Sequence, residues 1–570
     1  PGLEQATDIN TTGNSGISNP YVYNGELYFE ADDGLGVIGD EFYKLSPDGT
    51  VTLVKDINQD PDDTTPNGDP GNFMEYNGLL YFNGNMGDAT LNGRELWVTD
   101  GTEAGTREVF DLQPGAGNDG NPIGLFVFNG NLYFQANDGS STQWWRYDGT
   151  NDPVKVTTIR SDGFASPSNP IIDAANNRVF FQAITDIGRI QLHVMDASEN
   201  ITEIQTNASN HGYTGAEAIL YNGSLVFQGD DGTNGDELWI SDGTVSGTSM
   251  ILDINSGAGN SDPEEFAVYN GKVYFAADPG TGTQLWETDG TTAGTQLVIE
   301  PNVGGEGSVE GLTVYNGKLY FTAEDGTNGT ELWVYDGATA MMLKDINTTA
   351  GAGRDPEGYT EVDGWLFFEA DNGSGTKLWV TDGTPARTLP VAEVLNSPVD
   401  PLDVNSSEFA VIGTTLFYTA DDAFGDDIFY VDASEIVFYD VDFTVTDASG
   451  PVENAAVTFK STTVLTDASG VALFPGGTAG TAIVYTVTKD NYADFTGTID
   501  VLDGSASEDV FLVPAYDVTF TVTDGTNPLE GAAVTLDGTT VMSDAAGIAL
   551  FEQVAPASGL TYTVTLAGYD

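Results

Sequence analysis

The sequence predicts an all-β fold, and three observations predict it. A motif of about 50 residues recurs nine times along the first three quarters of the chain. The repeats hold short aromatic-rich segments that follow Asn-Gly or Asp-Gly pairs, and such pairs favour the tight turns of β-hairpins because those turns need positive φ angles. No convincing stretch carries the apolar spacing of an amphipathic helix. We therefore expect strands and turns throughout.

The composition excludes several classes of protein. The 570 residues include 17 Lys and Arg against 87 Asp and Glu, so the formal net charge is −70, and there is no Cys. A nucleic-acid binder needs a basic surface, and a membrane-inserted protein needs a long apolar run, so we expect neither. The lack of Cys excludes disulfides and thiolate metal sites. So acidic a surface suits a salty or calcium-containing exterior, where cations screen its self-repulsion.

Two landmarks define each repeat. The first is Tyr-Asn-Gly before an aromatic-rich strand, and its last position recurs 46 to 53 residues apart at Gly25, Gly78, Gly130, Asn177, Gly223, Gly271, Gly317, Gly364 and Gly413. The second is Glu-Leu-Trp followed by an Asp-Gly-Thr turn, and it is clearest from Glu95 to Thr102. About four strands in this length are typical of a β-propeller blade. Adjacent Leu and Trp make both faces of the sheet apolar, which stacked blades require.

The ends of the repeat array predict a closed ring. Residues 1–436 hold nine units, and eight blades are the alternative if the first or the weak fourth unit is irregular. Asp8-Ile9-Asn10 has the sequence of a last strand without a preceding hairpin, whereas the ninth unit lacks its last strand. We therefore expect Glu4 to Asn10 to pair with the ninth unit around Ile428 to Val431, because this pairing removes two open edges.

The remaining residues predict two small Ig-like β-sandwiches, at 437–514 and 515–570. The segment from Tyr439 to Asp447 returns from Tyr516 to Asp524, an offset of 77 residues, and alternating strands with short turns favour sandwiches. The second copy stops 21 residues before the point that corresponds to Pro514, so we expect it to be incomplete. We expect the native chain to continue into the missing strands. Donation of strands by a neighbouring molecule is the alternative.

The repeat motif Glu-Leu-Trp-x-x-Asp-Gly-Thr resembles the ELWxxDGT repeat family of bacterial secreted and surface proteins, over residues 1–436. In the tail, Gly531 to Leu536 and the Thr-Asp-x-x-Gly turn resemble carboxypeptidase-regulatory-like, transthyretin-like domains. The first resemblance implies a β-propeller and export, in Bacteroidota often through type IX secretion. It also implies a role in adhesion, gliding motility or extracellular assembly, and it says nothing about a ligand.

Candidate ligands for a cation are Asp residues in the loops. They cluster within a few residues of one another and offer the hard oxygen ligands that Ca²⁺ prefers: Asp32, Asp33, Asp230, Asp231, Asp236, Asp421, Asp422 and Asp426. The alternative is that these carboxylates cap backbone N–H groups in turns. No catalytic residue is predicted, because the chain has only two His. His193 takes the place of a core Trp, and His211 lies in a loop.

The function expected from these observations is that of a non-enzymatic extracellular protein at the cell surface, with a propeller head on a sandwich stalk. It would act in adhesion or in surface assembly. Its partners would be a surface glycan or protein ligand, or other copies of itself, together with secretion and anchoring machinery. One alternative is a subunit of an extracellular filament or appendage, and another is a propeller glycosidase or polysaccharide lyase.

Overall fold

The computed structural model describes residues 3–6, 9–10, 13–34, 39–59, 67–87, 93–115, 118–156, 159–160, 165–186, 188–204, 217–348, 356–421, 425–460, 462–502 and 504–569. Their regular structure is nearly all β-strand, as predicted. The chain divides into two units. The first comprises Pro1–Ala392 and Ser397–Ile436, and the second comprises Glu393–Asn396 and Val437–Asp570.

In the first unit the described residues form nine four-stranded antiparallel sheets in chain order, numbered here sheet 1 to sheet 9. Sheets of this kind are typical of β-propeller blades. Sheet 1 consists of Ser18–Tyr23, Glu26–Asp32, Asp40–Leu45 and Val51–Lys55. Sheet 2 consists of Gly71–Tyr76, Leu79–Asn85, Arg94–Thr99 and Arg107–Phe110. Sheet 3 consists of Ile123–Phe128, Asn131–Asn137, Thr142–Tyr147 and Val154–Lys155.

The next five sheets have the same up-and-down order. Sheets 4 and 5 consist of Ser168–Asp173, Arg178–Ile184, Ile190–Asp196 and Ile201–Ile204; and Ala218–Tyr221, Ser224–Asp230, Asp236–Ser241 and Thr248–Leu252. Sheet 6 consists of Glu264–Tyr269, Lys272–Ala277, Gln284–Thr288 and Gln296–Ile299. Sheet 7 consists of Glu310–Tyr315, Lys318–Glu324, Thr330–Tyr335 and Ala340–Lys344. Sheet 8 consists of Glu357–Val362, Trp365–Asp371, Thr376–Thr381 and Leu389–Pro390.

The ninth sheet is completed by the N-terminus. It consists of Leu402–Ile412, Thr415–Asp421, Asp426–Asp432 and, at its outer edge, Glu4–Gln5. Glu4 pairs with Tyr430, and Gln5 pairs with Phe429. The Gln5 side-chain amide also donates a hydrogen bond of 2.9 Å to Asp427. The predicted pairing of the N-terminus with the ninth unit is therefore confirmed for these residues.

The first strand of each sheet is called its inner strand here. The inner strands of successive sheets lie side by side, and that of sheet 9 lies beside that of sheet 1. They therefore enclose a central channel, and each of them is the edge strand of its sheet.

Helices are short in this fold. The described residues contain one α-helical turn, Val391–Leu395, and the 3₁₀ turns Val245–Gly247, Thr292–Gly294, Pro385–Arg387 and Ala433–Glu435. Thus no helix within the described ranges has the length and apolar character needed to cross a membrane.

Apolar side chains on both faces of each sheet hold the ring together. In sheet 2, Leu96 and Trp97 are adjacent and are 0% and 4% exposed. Leu96 packs with Leu132 of sheet 3, whereas Trp97 packs with Phe42 of sheet 1. Neighbouring residues of one strand thus face different sheets, so each sheet buries both faces only when it lies between two others.

The Tyr of the Tyr-Asn-Gly landmark adds a polar link between sheets. Its hydroxyl donates to the carbonyl oxygen of the turn glycine in the next sheet, at 2.6–3.0 Å, in the pairs Tyr23–Gly78, Tyr76–Gly130, Tyr221–Gly271, Tyr269–Gly317 and Tyr315–Gly364. Sheet 4 has Asp173 at this position, and there the Arg178 guanidinium donates to Gly223 instead, at 2.9 Å. The landmark therefore serves both the hairpin and the contact between sheets.

The Glu of the Glu-Leu-Trp motif holds the loop that leads to the next sheet. Glu95 is fully buried and accepts backbone N–H bonds from Leu112 at 2.8 Å and Gly120 at 2.9 Å. Burial raises the pKa of Glu95 to about 8, although these two hydrogen bonds oppose the rise. Glu41 accepts equivalent bonds from Ile57 and Asn58, and burial raises its pKa to about 8 as well. The motif carboxylate therefore anchors the connecting loop in the four sheets that have Glu at this position, and Glu237 and Glu331 make the equivalent bonds in sheets 5 and 7.

Three sheets carry Gln at this position, namely Gln143, Gln191 and Gln284, and all three are buried. Gln284 donates to the carbonyl oxygen of Gly305 at 3.2 Å, and Gln143 accepts from the Ile159 N–H at 3.5 Å. The amide side chain of Gln can therefore take the position of the motif Glu, and it has no ionisable group.

The second unit begins with a two-sheet sandwich. One sheet contains Tyr439–Asp447, Gly450–Pro451, Val471–Gly477 and Ala506–Phe511, and the other contains Ala456–Phe459, Thr462–Leu465, Gly480–Thr488 and Phe495–Val501. Both sheets contribute to one core, in which the rings of Phe443, Phe459 and Phe474 lie 5.5–5.6 Å apart.

The following repeat has fewer strands in the described residues. Tyr516–Thr521 pairs with Ile548–Val554, and Ala533–Leu536 pairs with Thr539–Met542 and Tyr562–Thr565. Tyr562 is 60% exposed, whereas the corresponding Tyr485 is 1% exposed. In the first sandwich that Tyr lies on the strand that pairs with Phe495–Val501. The expectation that further strands complete this repeat stays a prediction.

Replacing Leu3 by Ala tests the closure of the ring. Leu3 is 5% exposed, so we expect Leu3→Ala to lower the free energy of unfolding by about 2–4 kcal/mol, as for other buried leucines. Leu53→Ala is the control, because Leu53 is 42% exposed on the outer strand of sheet 1. Urea unfolding measures both variants. Equal, small effects would show that the N-terminus contributes no packing.

Replacing Glu95 by Gln tests the anchoring carboxylate. Its folded pKa of about 8 lies above the ordinary value of 4.5, so its protonation stabilises the fold fully below about pH 4.5 and ceases to do so as the pH rises through 8. We expect Glu95→Gln to become less destabilising, relative to the unsubstituted chain, between pH 5 and pH 9. The change should be on the order of 2 kcal/mol.

Chemical unfolding at pH 5, 7 and 9 measures this difference, and Gln143→Glu is the matched control. That substitution installs a buried carboxyl where an amide stands, so it should make stability fall more steeply as the pH rises. A Glu95→Gln variant that loses more stability at pH 9 than at pH 5 contradicts the assignment.

Candidate functional site

The described members of the predicted calcium set lie in or beside the turns between the second and third strands of sheets 1, 5 and 9. Asp231 accepts backbone N–H bonds from Thr233 at 2.8 Å and Asn234 at 2.9 Å. Asp32 accepts from the Gly34 N–H at 2.8 Å. These carboxylates therefore cap turn amides, which was the alternative to metal binding.

The other members of the predicted set lie at the ends of the same hairpins. Asp230 pairs with Asp236, and Asp421 pairs with Asp426, so these Asp flank their turns; Asp33 lies within the turn of sheet 1. Asp422 lies outside the described residues. Calcium binding by this set stays a prediction.

One carboxylate cluster was not predicted from the sequence. Glu30, Asp40 and Asp69 place one oxygen atom each within 4.8 Å of the others, and none of the eight predicted ligands belongs to this group. Each of the three has a protein donor, because Ser18 donates to Glu30, Asn67 to Asp40 and Arg94 to Asp69. The cluster is thus part of the hydrogen-bonded surface of sheets 1 and 2.

Of the two histidines, the structure describes His193. It is 2% exposed, its ring stacks on Phe181 at 5.3 Å, and Nδ1 lies 3.0 Å from the carbonyl oxygen of Gln191. The interpretation of His193 as a core residue is therefore confirmed. His211 lies outside the described residues.

Two adjacent positions recur at the inner strands of all nine sheets, although in sheet 5 the first of them, Glu217, directly precedes the strand Ala218–Tyr221. The first, called the bulge position, lies four residues before the end of the strand and is Asn19, Asn72, Gly124, Asn169, Glu217, Glu265, Gly311, Gly358 or Glu408. Most of these residues have positive φ, and the pairing with the second strand shifts at this point in eight of the nine sheets. Such β-bulges turn side chains in new directions.

Side chains at the bulge position link neighbouring sheets. Asn72 accepts a hydrogen bond from the Gly124 N–H at 3.4 Å, and Glu217 accepts one from the Glu265 N–H at 2.6 Å. Glu265 in turn accepts bonds from the Gly311 N–H at 2.9 Å and the Leu312 N–H at 3.3 Å. In these sheets the bulge residue of one sheet therefore contacts that of the next.

The second position follows directly and is called the wedge position. It holds Pro20, Phe73, Leu125, Pro170, Ala218, Phe266, Leu312, Tyr359 and Phe409. Eight of these side chains are large or cyclic, and Ala218 in sheet 5 is the exception. Sheet 5 therefore has the smallest side chain at this position, and this place is called the gap below.

A pocket of about 470 Å³ lies at this gap, on the inner strands of sheets 4 to 7. Its apolar wall consists of Pro170, Ile171, Ala218, Phe266 and Leu312, and its polar lining consists of Asn169, Glu217 and Glu265. This set is called the channel pocket below. Its apolar wall can hold a small hydrophobic group next to two carboxylates.

The charge of the channel pocket is negative. The ion pairs of the described residues do not include Glu217 or Glu265. Partial burial and the nearby Glu217 carboxylate raise the pKa of Glu265 above its ordinary value. A cation in the pocket would relieve this repulsion, because an opposite charge nearby favours the ionised carboxylate.

Sequence reasoning missed the channel pocket because its residues precede the Tyr-Asn-Gly landmark. A usable signal was present in the nine repeats, because Ala218 is the smallest residue at its position and Glu217 and Glu265 stand where six other units have Asn or Gly.

No protein-family model matches the chain, and no curated protein matches it. Solved structures that resemble it include a puromycin hydrolase, with a TM-score of 0.36 and 13% identity over 74% of this chain and 61% of that chain. Another is dipeptidyl peptidase 4 of Porphyromonas gingivalis, with a TM-score of 0.41 and 10% identity over 79% of this chain and 69% of that chain. A third is the β-propeller domain of the trilobed protease of Pyrococcus furiosus, with a TM-score of 0.30 and 13% identity over 56% and 97%.

These comparisons correct the predicted function. The similar structures are peptidases and hydrolases, so the prediction of a non-enzymatic adhesion protein is wrong, and so is the prediction that the chain is not an enzyme. The chain spans about three fifths of the length of the first two hydrolase structures. At 10–14% identity the likeness is one of fold, and no residue role is carried over.

Proposed function

We propose that the chain is the peptide-binding propeller of a peptidase and that the channel pocket holds one end of the peptide. The observation that carries this proposal is the gap at Ala218. Within the ring of wedge residues it leaves about 470 Å³ between Phe266, Leu312 and Pro170, beside the carboxylates of Glu217 and Glu265. Concave sites with an apolar wall and a few polar groups are typical of ligand binding.

The inner strands support a peptide as the ligand. Each inner strand is the edge of its sheet, so one row of its backbone N–H and C=O groups is not used by a neighbouring strand of that sheet. Edge strands bind extended peptides through such groups. The pocket would then take the side chain or amino end of the peptide, while the strand edges bind its backbone.

The proposal includes the architecture that creates the pocket. It treats the nine sheets as nine blades of one propeller closed by Glu4–Gln5, because the inner strands follow one another around the channel and return to sheet 1. It also treats the two repeats of the second unit as Ig-like sandwiches, on their two-sheet arrangement and their 77-residue offset.

Filling the gap tests the proposal. Ala218→Phe places at the wedge position of sheet 5 the residue that sheets 2, 6 and 9 already have there, so we expect the fold to tolerate it. Binding of short peptides with an apolar first residue should weaken at least about tenfold, because the side chain occupies the pocket. Isothermal titration calorimetry measures the affinity.

Leu53→Phe is the control, because it adds a Phe ring at a residue that is 42% exposed on the outer strand of sheet 1, outside the pocket. It should leave the affinity unchanged. If Ala218→Phe binds peptides as the unsubstituted chain does, the ligand does not use this pocket. If no peptide binds the unsubstituted chain, the proposed function is wrong.

A further inference from the structure

A groove of about 720 Å³ lies in the second unit, where the first sandwich meets the repeat that follows it. It is called the junction groove here, and the following repeat is called the second repeat. Backbone contacts hold its walls, because the Ala515 N–H donates to the Asn491 carbonyl oxygen at 2.8 Å and Tyr492 pairs with Pro514. Its volume lies within the range of roughly 300–1,000 Å³ that is typical of small-molecule sites.

Three residues of the junction groove carry amide side chains at positions where the other repeat has glycine. They have positive φ, in the region that favours glycine, and are Asn454 at 56°, Asn491 at 68° and Gln553 at 55°. The positions 77 residues away also have positive φ and hold Gly531, Gly568 and Gly476. Both repeats therefore have these left-handed positions, and amides stand at them on the walls of this groove.

The fold makes little use of these amides. Within the described residues, the side chains of Asn454 and Asn491 take part in no hydrogen bond. The Gln553 side-chain oxygen accepts from the Asp494 N–H at 3.4 Å, which leaves its NH₂ group as a donor. The three amides therefore offer donors and acceptors to a molecule in the groove.

The loop beside Asn491 differs between the repeats in the same direction. Residues 488–491 are Thr-Lys-Asp-Asn, whereas residues 565–568 are Thr-Leu-Ala-Gly. The junction groove is also lined by Tyr516, which is 48% exposed, and by the carboxylates of Asp494 and Asp517. Polar groups that donate and accept thus surround an exposed aromatic ring.

This lining suits a neutral polyhydroxyl ligand. A sugar hydroxyl both donates and accepts, as an Asn or Gln side chain does, and a tyrosine ring can cover the apolar C–H face of a sugar. An anion is disfavoured, because the groove has three Asp and one Lys. A metal ion suits it less, since among the described residues these three Asp do not form a group with oxygens within 4.8 Å of one another.

We propose that the junction groove binds a neutral oligosaccharide. The amides of Asn454, Asn491 and Gln553 would hydrogen-bond the sugar hydroxyls, and the Tyr516 ring would lie against one sugar ring. An extended peptide binds along a row of backbone groups on one strand, whereas the polar groups here are side chains from four separate segments. The groove shares no residue with the channel pocket, so this inference does not rest on the proposed function.

An oligosaccharide array tests the proposal with the full chain, labelled with a fluorophore. The array carries cello-, malto-, manno- and chito-oligosaccharides together with sulfated and sialylated oligosaccharides. We expect binding to at least one neutral series and none to the anionic members, because the carboxylates of the groove repel them. Calorimetry with the neutral oligosaccharide that gives the strongest signal then compares variants.

The main variant combines Asn454→Gly and Asn491→Gly, and so gives the first sandwich the glycines of the second repeat. We expect it to bind the oligosaccharide about tenfold more weakly, as the loss of two hydrogen bonds does. Its melting temperature should not fall, because glycine suits positive φ. Tyr516→Leu is the second variant if the first fails to fold, and it should weaken binding about fivefold through the loss of the ring.

Asp537→Gly is the matched control. Asp537 also has positive φ, 46°, and lies in the second repeat outside the junction groove, so the same kind of change should leave the affinity unchanged. Ala218→Phe should leave it unchanged too, because that residue lies in the channel pocket. A failure of the peptide-binding proposal would therefore leave this one standing.

Three results would overturn the inference. The first is an array on which no neutral oligosaccharide binds the unsubstituted chain. The second is a double variant, or a Tyr516→Leu variant, that binds as tightly as Asp537→Gly does. The third is peptide binding that survives Ala218→Phe and is lost in the double variant, because the groove would then take a peptide.

Discussion

Each sheet of the ring carries large apolar side chains on both faces, and the rest of the structure depends on covering them. Leu96 packs toward sheet 3 and Trp97 packs toward sheet 1, so sheet 2 cannot bury its core without both neighbours. The same holds around the ring, and Glu4 and Gln5 of the N-terminus complete the last sheet. Closure brings the inner strands together around one channel, and the channel pocket lies on four of these strands.

The polar groups of each repeat divide into two kinds. Buried groups such as the Glu95 carboxylate and the Tyr23 hydroxyl have backbone partners at 2.8–2.9 Å, so they stabilise the fold. The carboxylates of Glu217 and Glu265 also bond to backbone groups, yet they line an open pocket and lack a cationic partner among the described ion pairs. Only the second kind offers unbalanced charge to a ligand.

Much of the fold could be predicted because both landmark motifs recur in the nine units. The all-β class, the pairing of Glu4 and Gln5 with the ninth unit and the core position of His193 all follow from that pattern. The Asp residues of the turns were also recognised from the sequence as candidate calcium ligands. In the structure Asp231 accepts a hydrogen bond from a turn amide. The pocket could not be predicted in the same way, because it arises where one unit departs from the others. Ala218 has its effect only once the ring has brought Phe266 and Leu312 beside it.

Cross-linking of a bound peptide tests the central claim most directly. A tetrapeptide with a free amino terminus and a diazirine on its first side chain would be irradiated with the full chain, and mass spectrometry would locate the attached residues. The account predicts that labels concentrate at residues 217–219, 264–266 and 311–313, and that Ala218→Phe removes them. Labels spread over the outer strands or the second unit, unchanged by Ala218→Phe, would contradict it.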